Sequence, residues 1–409
     1  MKVAAVLIFG LTYLLIASRK LQLLPIGRAA GALLGAVLMV GVGVLSPHES
    51  YVAIDHDTIV LLFSMMLLTA YLEHAGFFEA MARGMLVLCR TPWRLLVAVV
   101  ILAGMLSAFL VNDTVCLFLT PVLVLLCERG RLPFAPFLLA LATSANIGSA
   151  ATLVGNPQNM IIGSMSHLPF RVFLLDAGAG AAAAAGLLVN IALLWLYFGR
   201  GLPAAIAPHP TVPSTAKHHV AVPATIALGV VVGFFFGLHL GYTTLAGVLV
   251  LMVLEHREPR EAFARVDWTL LVFFCCLFVV VAGLAKTGLI ERAWSWAAPD
   301  LSLRSARGLA LFTALMTLGS NVVSNVPMVL LTGPHLAGLG DGTFAWVLLA
   351  FTTTVAGNLT LVGSVANIIV VEGAREHYNV GFWEYLRFGV ASTVLVLAVG
   401  VCVLYVFAY

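Results

Sequence analysis

The chain has 409 residues, 62% of them apolar and 10% charged, where a soluble domain carries about a quarter charged residues, so the bilayer is the solvent for most of it. A net charge of +3 reports loop orientation rather than nucleic-acid binding, for which the sequence holds no motif. Six cysteines (Cys89, Cys116, Cys127, Cys275, Cys276 and Cys402) stand singly or adjacent in apolar runs, which excludes a disulfide framework and a cysteine zinc site.

A crossing helix needs about 20 apolar residues, somewhat fewer when its flanks reach the interface. The first run, 3–17, ends in Ser18-Arg19-Lys20 without a small-residue cleavage site, so it reads as a mature span rather than a secretory signal. Spans follow at 29–46 and 58–75. Gly76 to Arg94 mixes Phe77, Phe78, Met85 and Leu86 with Glu79, Arg83 and Arg90, the pattern of an interfacial amphipathic helix. Residues 95–127 are apolar but interrupted at Asn112-Asp113-Thr114, and are too short for two full crossings. They read as a re-entrant hairpin of two half-depth helices. Spans at 134–165 and 172–198 complete the first half, with Gly178 to Gly186 as a small-residue helix contact. Lys217-His218-His219 belongs to a solvated linker rather than a metal site. The second half repeats the order: spans at 221–238, 242–255 and 269–286, a hairpin over 305–338 with its tip at Ser324-Asn325, then spans at 343–372 and 386–407. The fold class is an all-α integral membrane protein with about ten transmembrane helices and two re-entrant hairpins.

Cytoplasmic loops should collect Lys and Arg. With the N-terminus outside the cell membrane, fifteen basic residues from Arg19 to Arg387 fall on the cytoplasmic side and six, Lys2, Arg171, Lys286, Arg292, Arg304 and Arg307, fall outside. Both termini are then outside.

Thr152-Leu153-Val154-Gly155 with Asn159 recurs as Thr360-Leu361-Val362-Gly363 with Asn367, an offset of 208 residues. Other matches have offsets near 212: Asp57-Thr58 with Gly76 and Glu79 against Asp267 to Thr269 with Gly288 and Glu291, Asn112 against Asn325, and Asn146 against Asn358. The difference places four extra first-half residues at Gly148 to Ala151. The chain divides into a first repeat over 1–200 with a cytoplasmic-side hairpin, a cytoplasmic linker over 201–220, and a second repeat over 221–409 with an outward-side hairpin. Five crossings in each half invert the second relative to the first. Both hairpin tips and both broken helices then meet near the midplane.

The site residues expected there are Asn112, Asp113, Thr114, Asn146, Gly155, Asn156, Asn159, Ser324, Asn325, Asn358, Thr360, Gly363, Ser364 and Asn367. Asparagine amides offer donors and acceptors together, half-helix N-termini suit an anion, and unwound carbonyls suit Na+ near Asn112 and Asn325. Asp113 has no acidic counterpart, since Val326 stands at the matching position. Its carboxylate can carry H+ or Na+, or it can cap backbone amides at the tip, and the sequence leaves both roles open.

These motifs, Ala108 to Thr114 leading to Thr120-Pro121, Ala145-Asn146-Ile147-Gly148 through Asn159, Ser324 to Pro327 and Gly357-Asn358 through Asn367, resemble the ion transporter superfamily of arsenical pump permeases, citrate permeases and divalent-anion:sodium symporters. The resemblance implies a moving transport domain of hairpins and broken helices against a scaffold of the other spans. In the symporter branch a Ser-Asn-Thr triplet at each tip binds carboxylate and sodium. Here the tips read Val111-Asn112-Asp113-Thr114 and Ser324-Asn325-Val326, neither complete and both closer to the arsenical pump. The expected function is a secondary active transporter of a small anion, a carboxylate or oxyanion with arsenite among the candidates, coupled to Na+ or H+. The alternative is a cation/proton antiporter of the same superfamily. No enzyme activity and no cofactor are expected. A second copy as a homodimer, or a separate ATPase subunit for a pump, are the protein partners left open.

Overall fold

The computed structural model describes residues 1–20, 27–206, 220–255, 259–340 and 342–409, without the side chains of 17–20. Most of the linker expected over 201–220, with Lys217, His218 and His219, lies outside the described residues. All regular structure among the described residues is helical.

The first half runs α1 Lys2–Lys20, α2 Arg28–Gly41, α3 Pro47–Val52, α4 His56–His74, α5 Phe77–Leu88, α6 Pro92–Phe109, α7 Asn112–Gly130, α8 Phe134–Ser149, α9 Pro157–Ser166 and α10 Ala179–Phe198. The second runs α11 Ala221–Phe235, α12 Leu240–Glu255, α13 Pro259–Ala264, α14 Trp268–Ala285, α15 Leu289–Ala297, α16 Ala306–Val323, α17 Asn325–Thr332, α18 Gly342–Val355, α19 Val365–Ala374 and α20 Phe382–Ala408. Among the described residues, six helices are long and apolar enough to cross a membrane: α4, α6, α10, α14, α16 and α20. The protein is embedded in a membrane through them.

The two series match element by element, and their start signals match too. Asp55 caps α4 by accepting from the backbone N–H of Thr58, and Asp267 caps α14 by accepting from that of Leu270. Gly76 and Gly288 begin α5 and α15 in the left-handed region (φ 76° and 71°), where a Cβ would be strained. Thr91 and Ser305 cap α6 and α16 through their hydroxyls. The cap positions correct the sequence pairing: Asp55, not Asp57, is the counterpart of Asp267. Asp57 instead lies 3.4 Å from His239.

Packing between the halves is reciprocal. The α2 helix lies on α14 while α12 lies on α4, α7 meets α19 while α17 meets α9, and α10 pairs with α20. Such exchange of equivalent partners is what a twofold relation produces. Glycine sets the closest approach: a Cβ on Gly148 of α8 would collide with the backbone of Gly104 on α6, and one on Gly186 would meet Val396 of α20 at 2.8 Å. The small-residue stretch in α10 is thus a helix contact, as its composition suggests.

Two features differ from the sequence reading. The first arms of the hairpins, α6 and α16, have 18 residues each. At 1.5 Å per residue that is about 27 Å, longer than a half-depth arm. The α6 start, Pro92-Trp93-Arg94, carries headgroup-layer residues, so part of the helix can lie outside the hydrocarbon. The extra first-half residues also lie elsewhere. The α7 helix has 19 residues where α17 has 8, continued by a 3₁₀ turn over Gly333–Leu339, so the length difference sits in the second hairpin arm and not at Gly148 to Ala151.

Candidate functional site

The long apolar runs expected over 134–165 and 343–372 are each broken. The α8 helix stops at Ser149 and α9 starts at Pro157, while α18 stops at Val355 and α19 starts at Val365, with 3₁₀ turns over Ala356–Asn358 and Leu361–Gly363 between them. A break inside an apolar layer leaves carbonyls that lipid cannot satisfy. Asparagines satisfy them here. Asn159 Nδ2 donates to the carbonyls of Ser149 (3.2 Å) and Thr152 (2.8 Å), and Asn367 Nδ2 donates to those of Gly357 (2.7 Å) and Thr360 (3.2 Å). Asn156 caps α9, its Oδ1 accepting from Asn159 N–H at 2.9 Å and its Nδ2 donating to Ser149 Oγ at 2.9 Å. Gly155 and Gly363 let the returning chain press against Ser149 and against Gly357, where a Cβ would clash.

Asn146 is the hub of the cluster. Its Oδ1 accepts from Asn112 Nδ2 at 3.0 Å and from Ser364 Oγ at 3.0 Å. Its Nδ2 donates to Asn358 Oδ1 at 2.9 Å and to Asn367 Oδ1 at 3.0 Å. One side chain therefore joins the first hairpin tip to both parts of the second broken helix. Asn358 Nδ2 closes the set by donating to the carbonyl of Thr143 at 3.2 Å. Asn325, at the second tip, comes to the same place. A Cβ on Gly357 would stand 3.4 Å from Asn325 Nδ2, 3.5 Å from Asn146 Nδ2 and 3.0 Å from Ser364 Cβ.

The contacts correct one pairing. Asn146 reaches Ser364 and Asn367, and the residue that reaches their counterparts Asn156 and Asn159 is Thr354, at 3.3 and 3.4 Å. Thr354, not Asn358, is the counterpart of Asn146, 208 residues on.

The first tip is relaxed and the second strained. Leu110 and Val111 are extended, and Asn112 is fixed through its backbone N–H to the carbonyl of Gly155 at 2.9 Å. Ser324 has φ 77° and ψ 158°, a region that is essentially glycine's. Asp113 is 9% exposed, and its carboxylate lies against the backbone N–H of Ala366 in the first turn of α19. Arg28 and Asp267 are within electrostatic reach of it. Thr114 is half-buried one position further on, and Thr360 Oγ1 donates to Asn321 Oδ1 at 3.2 Å.

The sequence reading passed over several polar groups. Asn321 Nδ2 donates to the carbonyl of Ala356 at 2.9 Å, and Gln158 Nε2 donates to Thr354 Oγ1 at 3.2 Å. Ser107 Oγ, Ser320 Oγ and Asn325 Oδ1 are buried without a hydrogen-bond partner among the described residues. The two serines each stand five residues before a tip asparagine, a repeated position the sequence displays. A lone Ser in an apolar helix usually bonds back to its own backbone, which hides that signal.

Four helices, α7, α9, α17 and α19, begin at this cluster. Each contributes roughly half a positive charge at its N-terminus. The side chains gathered there are amides, hydroxyls and one carboxylate. An all-helical membrane protein with broken helices meeting at a polar centre belongs to the class of membrane transporters. The chain belongs to the citrate transporter family, whose pattern matches residues 13–356. It is 32% identical to a protein of Dictyostelium discoideum named transporter arsB, over 97% of this chain and 91% of that one. It is 33% identical to the silicon efflux transporter LSI3 of Oryza sativa subsp. japonica, over 96% and 95%, and 32% identical to a 46 kDa membrane protein of Mycobacterium leprae, over 97% of each.

Proposed function

We propose that the protein is a secondary active transporter that moves a small oxygen-rich solute across the cell membrane by alternating access, coupled to Na+ or H+. The observation that carries this reading is Asn146, which ties a hairpin tip to both segments of the opposite broken helix through amide and hydroxyl hydrogen bonds. Reciprocal packing of the halves supports an inverted-topology repeat, read here as ten crossings and two hairpins, and the Lys and Arg distribution favours both termini outside. Helix N-termini and amides can hold oxygen atoms without a guanidinium that would slow release.

Within the anion class, the cluster favours a compact oxyanion or its uncharged acid over a tricarboxylate. A trianion would meet the Asp113 carboxylate, with Arg28 the one cation and Asp267 a second carboxylate named as acting on it among the described residues. The silicon efflux relative fits that preference, because soluble silicon near neutral pH is the uncharged silicic acid, and arsenite is uncharged there too. Na+ near Asn112 and Asn325 is supported by the unpartnered Asn325 Oδ1. A cation/proton antiporter is the second reading, and burial of Asp113 beside α19 is what favours it.

Purified protein in liposomes would be offered citrate, succinate, sulfate, phosphate, arsenite and silicic acid, with sodium and proton gradients imposed separately. Gradient-driven uptake of a member of the panel supports the first reading. Sodium-driven pH change with no solute uptake supports the second, and silence in both assays removes both.

A further inference from the structure

Asp55 does more than cap α4. Its Oδ1 accepts from the backbone N–H of Thr58 at 2.7 Å, and its Oδ2 accepts the hydroxyl of Ser164, on α9, at 2.6 Å. The bond is partly buried, and α9 packs along α4 beside it. Through the repeat, Asp55 corresponds to Asp267. Ser164 stands five residues beyond Asn159, and the residue five beyond Asn367 is Glu372 on α19. In the second half this pair is not closed. Asp267 and Glu372 are both exposed, and among the described residues α14 and α19 lack the packing that joins α4 and α9.

The molecule therefore holds two equivalent ends in different arrangements. Exchanging those arrangements gives a second state built from the same kinds of contact, which is how a repeat protein can have two states close in free energy. The exchange is not chemically neutral. Closing the α4/α9 end forms a hydrogen bond to a carboxylate, whereas closing the α14/α19 end brings two carboxylates together. Arg28 and Asp267 both act electrostatically on Asp113, and Arg375 stands three residues beyond Glu372; the contact that closure itself would create is between the two carboxylates, Asp267 and Glu372. Like charges disfavour that closure.

We propose that the Asp55–Ser164 hydrogen bond is a conformation-specific latch, that the alternate state closes α19 onto α14 instead, and that repulsion between Asp267 and Glu372 sets the resting preference for the arrangement seen here. The latch rests on the transporter reading and names the residues that decide which end is open.

Hydrogen exchange of the full-length protein in lipid nanodiscs, read by mass spectrometry at residues 162–167 and 371–374, tests it. Ser164→Ala should speed exchange at 162–167 by about fivefold, the scale of one hydrogen bond, and slow it at 371–374. Ser164→Thr keeps the hydroxyl and should restore both rates. Glu372→Ser removes the repulsion and copies the Asp–Ser pair, so it should protect the α14/α19 end and deprotect 162–167. A Ser164→Ala change confined to its own segment, or a Glu372→Ser variant whose α4/α9 end is unmoved, overturns the latch. Uptake by the same variants in liposomes separates the two ideas. Reciprocal exchange without uptake of any panel solute sinks the transporter reading and leaves the latch, while uptake without reciprocity sinks the latch alone.

Discussion

Asp113 shows how much one side chain can be asked to do. Its carboxylate faces Ala366 N–H at the start of α19, so part of its role is to receive that helix end. Asparagine keeps an acceptor oxygen and loses the charge. Asp113→Asn should therefore leave the fold and melting behaviour nearly unchanged while abolishing the sodium or pH dependence of uptake, and ion dependence that survives would assign the residue to capping alone. Asn146 has the opposite profile. Removing it strips acceptors and donors from Asn112, Ser364, Asn358 and Asn367 at once. Unsatisfied buried amides cost about 1–3 kcal/mol each in water, and measured values in membranes average nearer 0.6. Asn146→Ala should lower thermal stability measurably and reduce uptake at least about tenfold. Ser324 stores strain, so Ser324→Gly should raise stability by about 1 kcal/mol, read as a higher unfolding temperature, if the tip keeps its shape. The asparagines were legible because a polar residue inside an apolar run needs a reason. The correspondence of Asn146 with Thr354 was not, because it depends on where a length difference is accommodated.

At the scale of elements, the breaks and caps were the most readable features. Asp267 before Trp268, Gly76 and Gly288 before amphipathic stretches, and Asn-Pro before α9 are local signals whose physics does not depend on the partner helix. Arm lengths were less readable. Hydropathy registers where apolar residues end, and α6 continues through Pro92, Trp93 and Arg94, which extend into the interface. Helix crossing was partly readable. Gly148 was visible as a glycine beside a candidate site residue, yet its partner Gly104 lies on α6 and no sequence spacing links them. The backbone contact leaves no room for a methyl group. Gly148→Ala should separate α6 from α8 and destabilise the protein by about 1–3 kcal/mol, with uptake falling because Asn112 and Asn146 sit at the same crossing. Gly41→Ala, where nothing lies within 4 Å, is the matched control and should leave the melting temperature unchanged.

For the whole molecule, the reciprocal contacts of α2 with α14 and α12 with α4 carry a topological consequence. Two equivalent helices that swap partners across a twofold axis must be related by rotation, and under the proposed five crossings per half that axis would lie in the membrane plane. An even total then returns the C-terminus to the side where the N-terminus starts. On that reading α3, between α2 and α4, and its equivalent α13 lie on opposite faces. Cysteines introduced at Lys2, Tyr51 and Tyr409 in a Cys402→Ser background should react with a membrane-impermeant thiol reagent added to intact cells, and one introduced at Glu261 should react only after the cells are opened. Labelling of Glu261→Cys and Tyr51→Cys from the same face would contradict the in-plane axis, because the equivalent short helices α13 and α3 would then share a side. The result bears directly on transport: only opposed faces let one hairpin approach Asn146 from each compartment, which is the geometry an alternating site requires.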